Sequence, residues 1–153
     1  MAYYIGGTDG NDTLLGTTSY DSMYSHGGND VLVSSARSDT MNGGLGADRF
    51  DFNSVGEAFY DMIADFHWWE GDKVDVSTID AKDYSWSSSS TWGNNTFTFK
   101  GNVNDGGLGK GELGYSFHNG NTMIYGNTDG DSSAELAIQV SGTCYFNASD
   151  FVL

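Results

Sequence analysis

The chain has 153 residues, enough for one compact domain or a repeat unit with a cap, and sets 21 acidic residues against six basic ones for a formal charge of −15. That balance excludes nucleic acid and anionic membrane as partners, because no basic patch is available to meet phosphate. A single cysteine, Cys144, excludes an intrachain disulfide, no apolar run approaches a membrane span, and the opening MAYYIGG has neither the basic start nor the apolar stretch of a signal peptide.

The acids are mostly aspartate, 17 against four glutamates, and 22 glycines stand beside no proline. Short polar side chains and glycine favour turns over helices. The four Trp, nine Tyr and nine Phe supply the material of a core.

Along the chain, the first ordered feature is a nine-residue ruler: Asp12, Asp21, Asp30, Asp39 and Asp48. Two residues after each stands an apolar side chain, Leu14, Met23, Leu32, Met41 and Phe50. Residues 7–51 thereby divide into five nonapeptides with the pattern Gly-Gly-x-Gly-x-Asp-x-apolar-x. Six residues make a turn that uses glycine's access to positive φ. Three make a short strand whose middle side chain points inward. Two nonapeptides complete a coil, so odd-numbered turns stack on one edge and even-numbered turns on the other. Stacked acidic turns of this pattern read as a calcium-binding parallel β-repeat, so the excess negative charge is expected to be offset by bound divalent cations rather than to serve solubility alone.

The two edges are unequal. Turn one keeps Gly7 and Gly10, turn three keeps Gly27 and Gly28 after His26, and turn five has Gly43, Gly44 and Gly46. On the even edge, Ser19 and Arg37 stand where the fourth-position glycine belongs, and turn four has no glycine. The odd edge is therefore expected to bind calcium, and the even edge weakly or not at all. Arg37 reads either as a fixed positive charge facing Asp21 or Asp39, or as a solvated surface arginine.

Beyond Phe52 the period ends and alternating stretches predict strands over 61–66, 73–76, 96–100, 112–117, 122–125, 135–140 and 150–153. Residues 56–60 could form a helical turn, and the serine-rich 85–91 reads as an exposed loop. Trp68, Trp69, Trp86 and Trp92 are candidates for stacking on sugar rings, against the commoner fate of core packing. His26, His67 and His118 lack metal-ligand spacing, and no His-Glu-x-x-His is present. Asn127, Asp129 and Asp131 start like an EF loop but lack its closing glutamate and read as a tight polar turn. Cys144 has no matched His or Cys and reads as a structural thiol.

The nonapeptides resemble the RTX β-roll. GADRFDF at 46–52, DMIADF at 61–66, GDKVDVS at 71–77, NTDGD at 127–131, AELAI at 134–138 and the terminal SDFVL at 149–153 are similar to the C-terminal domain of serralysin-type metalloproteases and to the R-modules of alginate epimerases. The resemblance implies an all-β fold, a right-handed parallel β-roll of nonapeptide repeats (1–52) capped by a C-terminal β-sandwich-like region (53–153) and packed with it as one unit. It implies a first calcium held by Thr8, Gly10 and Asp12 with Ser25, Gly27 and Asp30. A second would use His26, Gly28 and Asp30 with Gly43, Leu45 and Asp48. A third would use Gly44, Gly46 and Asp48, closed by Asp65 and Asp72. Two or three Ca2+ ions are thus expected, with six hard oxygens suiting calcium. The implied function is a C-terminal export and folding module of a secreted protein. It would pass the type I secretion machinery unfolded, carry its export signal in the terminal SDFVL, and fold in extracellular calcium. A calcium-dependent module for an alginate-like polysaccharide is the alternative. The chain itself is not expected to be an enzyme, since its periodic aspartates are better used on calcium; if a catalytic domain precedes Met1 in a longer protein, the activity lies there.

Overall fold

A computed structural model describes residues 2–56, 58–81, 95–103 and 107–153. Short strands come first: β1 Ala2–Gly6, β2 Thr13–Leu15, β3 Tyr20–Tyr24, β4 Val31–Val33, β5 Thr40–Asn42 and β6 Arg49–Asp51. They pair in parallel with partners 18 residues on, so odd-numbered and even-numbered strands build separate sheets. The apolar ruler becomes two columns. Leu14, Leu32 and Phe50 stack in one sheet, and Ile5, Met23 and Met41 in the other. Met23, Leu32, Met41 and Phe50 are fully buried, each contributing ~1.5–3 kcal/mol over an exposed position.

The remaining strands are β7 Phe59–Ile63, β8 Lys73–Asp75, β9 Thr98–Asn102, β10 Glu112–His118, β11 Asn121–Asn127, β12 Leu136–Val140 and β13 Phe151–Val152, with a 3-10 turn at Ala148–Asp150. All seven strands expected after Phe52 are present, with ends moved by a few residues. They extend the roll's own sheets. β7 joins β5 and puts Ile63 opposite Met41; β8 joins β6 and puts Val74 opposite Phe50. The result is an eight-stranded sheet, β1-β3-β5-β7-β12-β11-β10-β9, and a five-stranded sheet, β13-β8-β6-β4-β2. Asn119 and Gly120, both at positive φ, close the β10–β11 hairpin as a two-residue loop of that type requires. Phe66, Phe99, Tyr115, Phe146 and Phe151 form an aromatic cluster that seats the C-terminal strand against β8.

One expectation changes and one is left outside the described residues. Among the described residues of 56–60 a single turn bond is present, from the Ala58 amide to the Ser54 carbonyl, and Phe59 and Tyr60 already belong to β7. The stretch 85–91 lies outside the described residues. β1 is an added rung that the ruler does not mark, because Tyr3 stands opposite Asp21 where an aspartate would be.

Candidate metal centre

Burying aspartates at a regular spacing requires regular hydrogen bonds. From Asp30 and Asp39 onward, one oxygen of each carboxylate in these columns receives an amide from the coil before it. On the odd edge, the amides of Asp12, Asp30 and Asp48 donate to Oδ1 of Asp30, Asp48 and Asp72 at 2.7, 2.9 and 2.9 Å. On the even edge, the amides of Asp21 and Asp39 donate to Oδ1 of Asp39 and Asp61 at 2.8 and 2.7 Å. Each column thus ends on a cap aspartate, Asp72 or Asp61, beyond the nine-residue spacing. Asp30, Asp39, Asp48, Asp61 and Asp72 are all buried.

The second oxygens divide the turns. In turn one, the amide and hydroxyl of Thr8 donate to Asp12 Oδ2 at 2.6 and 2.8 Å. In turn two, Thr17 does the same for Asp21 at 2.5 and 2.9 Å. In turn four, the Ser35 amide reaches Asp39 Oδ2 at 3.2 Å. These donors all stand at the second position of their turns. In turns three and five that position is left-handed, with φ of 74° at His26 and 86° at Gly44, and its amide no longer folds back on the turn's own aspartate. The Gly44 amide goes instead to Asp65 Oδ2 at 2.7 Å. Asp30 Oδ2 and Asp48 Oδ2 are left buried with no hydrogen-bond donor. A buried carboxylate oxygen without a donor costs several kcal/mol, and a hard cation removes that cost.

Turns three and five also share positive φ at their fourth positions, Gly28 and Gly46. They approach so closely that a Cβ on Gly44 would overlap the His26 carbonyl oxygen, and one on Gly46 the Gly28 carbonyl oxygen. The Leu45 amide donates to the His26 carbonyl, and the Gly28 amide to the Leu45 carbonyl, both at 2.9 Å. The Gly27 amide reaches the Thr8 carbonyl at 3.3 Å, and the Ser25 hydroxyl donates to the Gly43 carbonyl at 2.8 Å. Each of these carbonyls keeps a second lone pair. The oxygen set gathered between turns three and five therefore fits calcium in donor type. Turn one differs: Thr8 and Gly10 are not left-handed, and Asp12 is satisfied by Thr8.

At the cap end, Asp65 accepts the Gly43 and Gly44 amides, and Asp72 Oδ2 accepts the His67 amide at 2.7 Å. Burial, then the charges of Asp48 and Asp65, push Asp72 up to about 6, against the hydrogen bonds it accepts. Burial likewise raises Asp48, helped by the charges of Asp30, Asp65 and Glu70. Burial raises Asp39 on the even edge, with the charge of Asp21 adding to it.

Arg37 faces neither Asp21 nor Asp39. Its Nε donates to the Thr18 carbonyl at 3.2 Å, and its guanidinium lies 5.4 Å above the Tyr20 ring. It thus ties turn four to turn two through backbone and ring. An asparagine ladder escaped the sequence reading: Asn11 Oδ1 accepts the Asn29 amide at 2.8 Å, and Asn29 Oδ1 the Ala47 amide at 3.0 Å. The repeated Asn-Asp pair at 11–12 and 29–30 is its signal. Asn127 forms a tight turn, bonding Gly130 and Asp131, while the fold brings Glu135 to Asp129 and Asp131, their ligand atoms within 4.8 Å of one another. Trp68 and Trp69 are exposed; Trp86 and Trp92 lie outside the described residues. Partial burial raises the Cys144 thiol above its ordinary range, as for an inert structural cysteine.

Residues 6–36 and 26–54 match the family model of the RTX calcium-binding nonapeptide repeat (4 copies). The nonapeptides are RTX calcium-binding repeats. No curated protein matches the chain significantly. Among solved structures, the chain is similar over 99% of its length to 77% of the AlgE6R3 subunit of the Azotobacter vinelandii mannuronan C5-epimerase, with a TM-score of 0.65 and 22% identity. It is similar over 97% of its length to 91% of the AlgE6R2 subunit of that enzyme, with a TM-score of 0.55 and 24% identity. These likenesses concern the fold: the RTX repeats are built into an all-β architecture of the R-module kind. The repeat match supports calcium binding by residues 6–54, and no helix among the described residues is long and apolar enough to cross a membrane.

Proposed function

We propose that this RTX module folds around two or three calcium ions and serves as the C-terminal export and folding domain of a secreted protein. The observation that carries the reading is the pair of buried, donorless oxygens Asp30 Oδ2 and Asp48 Oδ2. The principal ion lies between turns three and five, taking the carbonyls of His26, Gly28, Gly43 and Leu45 with the carboxylates of Asp30 and Asp48. A second ion, on Thr8, Gly10, Asp12, Ser25, Gly27 and Asp30, must draw Asp12 away from Thr8 and binds more weakly. A third uses Gly44, Gly46, Asp48, Asp65 and Asp72, where crowded negative charge favours a cation.

Without calcium, stacked carboxylates repel and the roll of residues 1–52 stays open, in a state that the type I secretion machinery can pass. Outside the cell, millimolar calcium neutralises the turns. For a site of roughly 0.1 mM affinity it adds about 1.4 kcal/mol of stability, and more where sites share Asp30 and Asp48. The continuous sheets support folding of 1–52 and 53–153 as one unit. The terminal SDFVL, the proposed export signal, has Phe151 buried against β8, so export precedes folding. Circular dichroism during calcium chelation tests the reading: β signal is lost on chelation and returns with calcium, and a spectrum indifferent to chelation contradicts it.

A second reading, a calcium-dependent module for an alginate-like polysaccharide, is favoured by the exposed indoles of Trp68 and Trp69.

A further inference from the structure

Three large rings stay wet around one cleft on the cap: Trp68 is 61% exposed, Trp69 63% and Tyr145 70%. The cleft, of about 470 Å³, lies between the 66–69 turn and the 141–147 segment and is also lined by Ser141, Thr143 and Asn147. Its size suits a small ligand. The rings are held in place rather than loose. Trp69 lies 4.7 Å from the His67 ring, whose Nδ1 is 3.2 Å from Glu70 Oε2. Trp68 stands perpendicular to Trp69 at 5.8 Å. Tyr145 meets Phe117 edge to face at 5.2 Å. The turn carrying both tryptophans is tied down by the His67 amide on Asp72.

The lining combines flat apolar faces with hydroxyl and amide groups, and no charged side chain is among its described residues. A purely apolar partner would leave Ser141, Thr143 and Asn147 without water or a polar contact. An anionic one would meet no cation in the cleft and a chain of charge −15 around it. An uncharged pyranose satisfies both halves: its C–H faces stack on the rings and its hydroxyls reach the polar rim. The geometry points to this cleft as a binding site for a neutral pyranose unit of a polysaccharide, with Trp68, Trp69 and Tyr145 as the stacking surfaces. This rests on the polysaccharide reading and narrows it, from an alginate-like polyanion to an uncharged sugar at one place.

The test is calorimetric titration of the full chain, in calcium, with neutral gluco-, manno- and galacto-oligosaccharides and, separately, with a mannuronate oligomer. Binding of a neutral oligosaccharide is expected. It should weaken about tenfold in each of Trp68→Ala, Trp69→Ala and Tyr145→Ala, the loss of one aromatic face, while the calcium midpoint of folding stays unchanged. Neutral-sugar binding that survives all three substitutions overturns the cleft. Binding of mannuronate alone overturns the sugar class but keeps the polysaccharide reading. Absence of binding to any of these sugars overturns both, leaving the export reading untouched.

Discussion

The amide of Asp30 donates to Oδ1 of Asp48 at 2.9 Å, while Oδ2 of Asp48 is buried with no donor. One carboxylate thus splices two coils with one oxygen and keeps the other bare. The same pairing one coil earlier joins Asp12 to Asp30, but there Asp12 has turned its second oxygen to Thr8. The difference lies in the left-handed second position of turns three and five.

That conformation makes Gly44 and Gly10 unequal, although both keep the repeat's glycine pattern. Gly44 has φ of 86° and no room for a Cβ against the His26 carbonyl; the nearest atom to a Cβ on Gly10 is Thr8 Oγ1 at 3.7 Å. Gly44→Ala is expected to cost about 3 kcal/mol or more. Gly10→Ala should stay within about 1 kcal/mol. Denaturant unfolding in saturating calcium measures both, and equal losses would contradict the close approach of turns three and five.

The threonine caps predict opposite calcium effects from one substitution made twice. Thr8→Val removes the hydroxyl that holds Asp12 away from a metal, so calcium binding at the first site should tighten. Thr17→Val removes the matching bond to Asp21 on the even edge. It should cost roughly 1 kcal/mol of the folded state and, because folding and binding are coupled, weaken apparent calcium affinity without changing the number of ions bound. Calcium titrations followed by circular dichroism separate the two.

Protons compete with calcium for the same oxygens, so the pH dependence of the calcium-free chain has a definite sign. Asp72 is raised from 3.8 to about 6 in the folded state, and Asp39 and Asp48 are raised as well. The folded chain then binds protons more tightly than the unfolded one. The stabilisation is present in full below the unfolded value and is lost as pH rises through about 6. In chelator, the residual folded fraction should be larger at pH 5 than at pH 7. In saturating calcium the order should reverse, because protonation displaces the ion. A chelated chain more stable at pH 7 would contradict the crowded-carboxylate account.

Much of this was legible in the sequence because the repeat binds chemistry to backbone at a fixed spacing. The inward Met23, Leu32, Met41 and Phe50, and the division into two edges, follow from counting. The count fails where the spacing changes. Ile63 and Val74 continue the apolar columns 22 and 24 residues after Met41 and Phe50, and Asp61 continues the even carboxylate column from a strand of the cap. Strand β1 went unmarked because Tyr3 replaces the aspartate. Glycine content did not reveal that in turn one, where Gly7 and Gly10 are kept, Thr8 bonds Asp12 through both its amide and its hydroxyl. Position in the turn left Arg37 open between a carboxylate partner and the surface; it lies exposed, bonded to the Thr18 carbonyl and over the Tyr20 ring.

The most direct measurement is a calcium titration of the chelated chain beside its Asp30→Ala and Asp39→Ala variants, with folding followed by circular dichroism and bound ions counted at saturation. Asp30 borders two of the proposed odd-edge sites, whereas Asp39 has its second oxygen on the Ser35 amide. The account predicts that Asp30→Ala loses bound calcium and shifts the folding midpoint at least tenfold, while Asp39→Ala keeps the full ion count and moves the midpoint little. Equal losses in the two variants would contradict it.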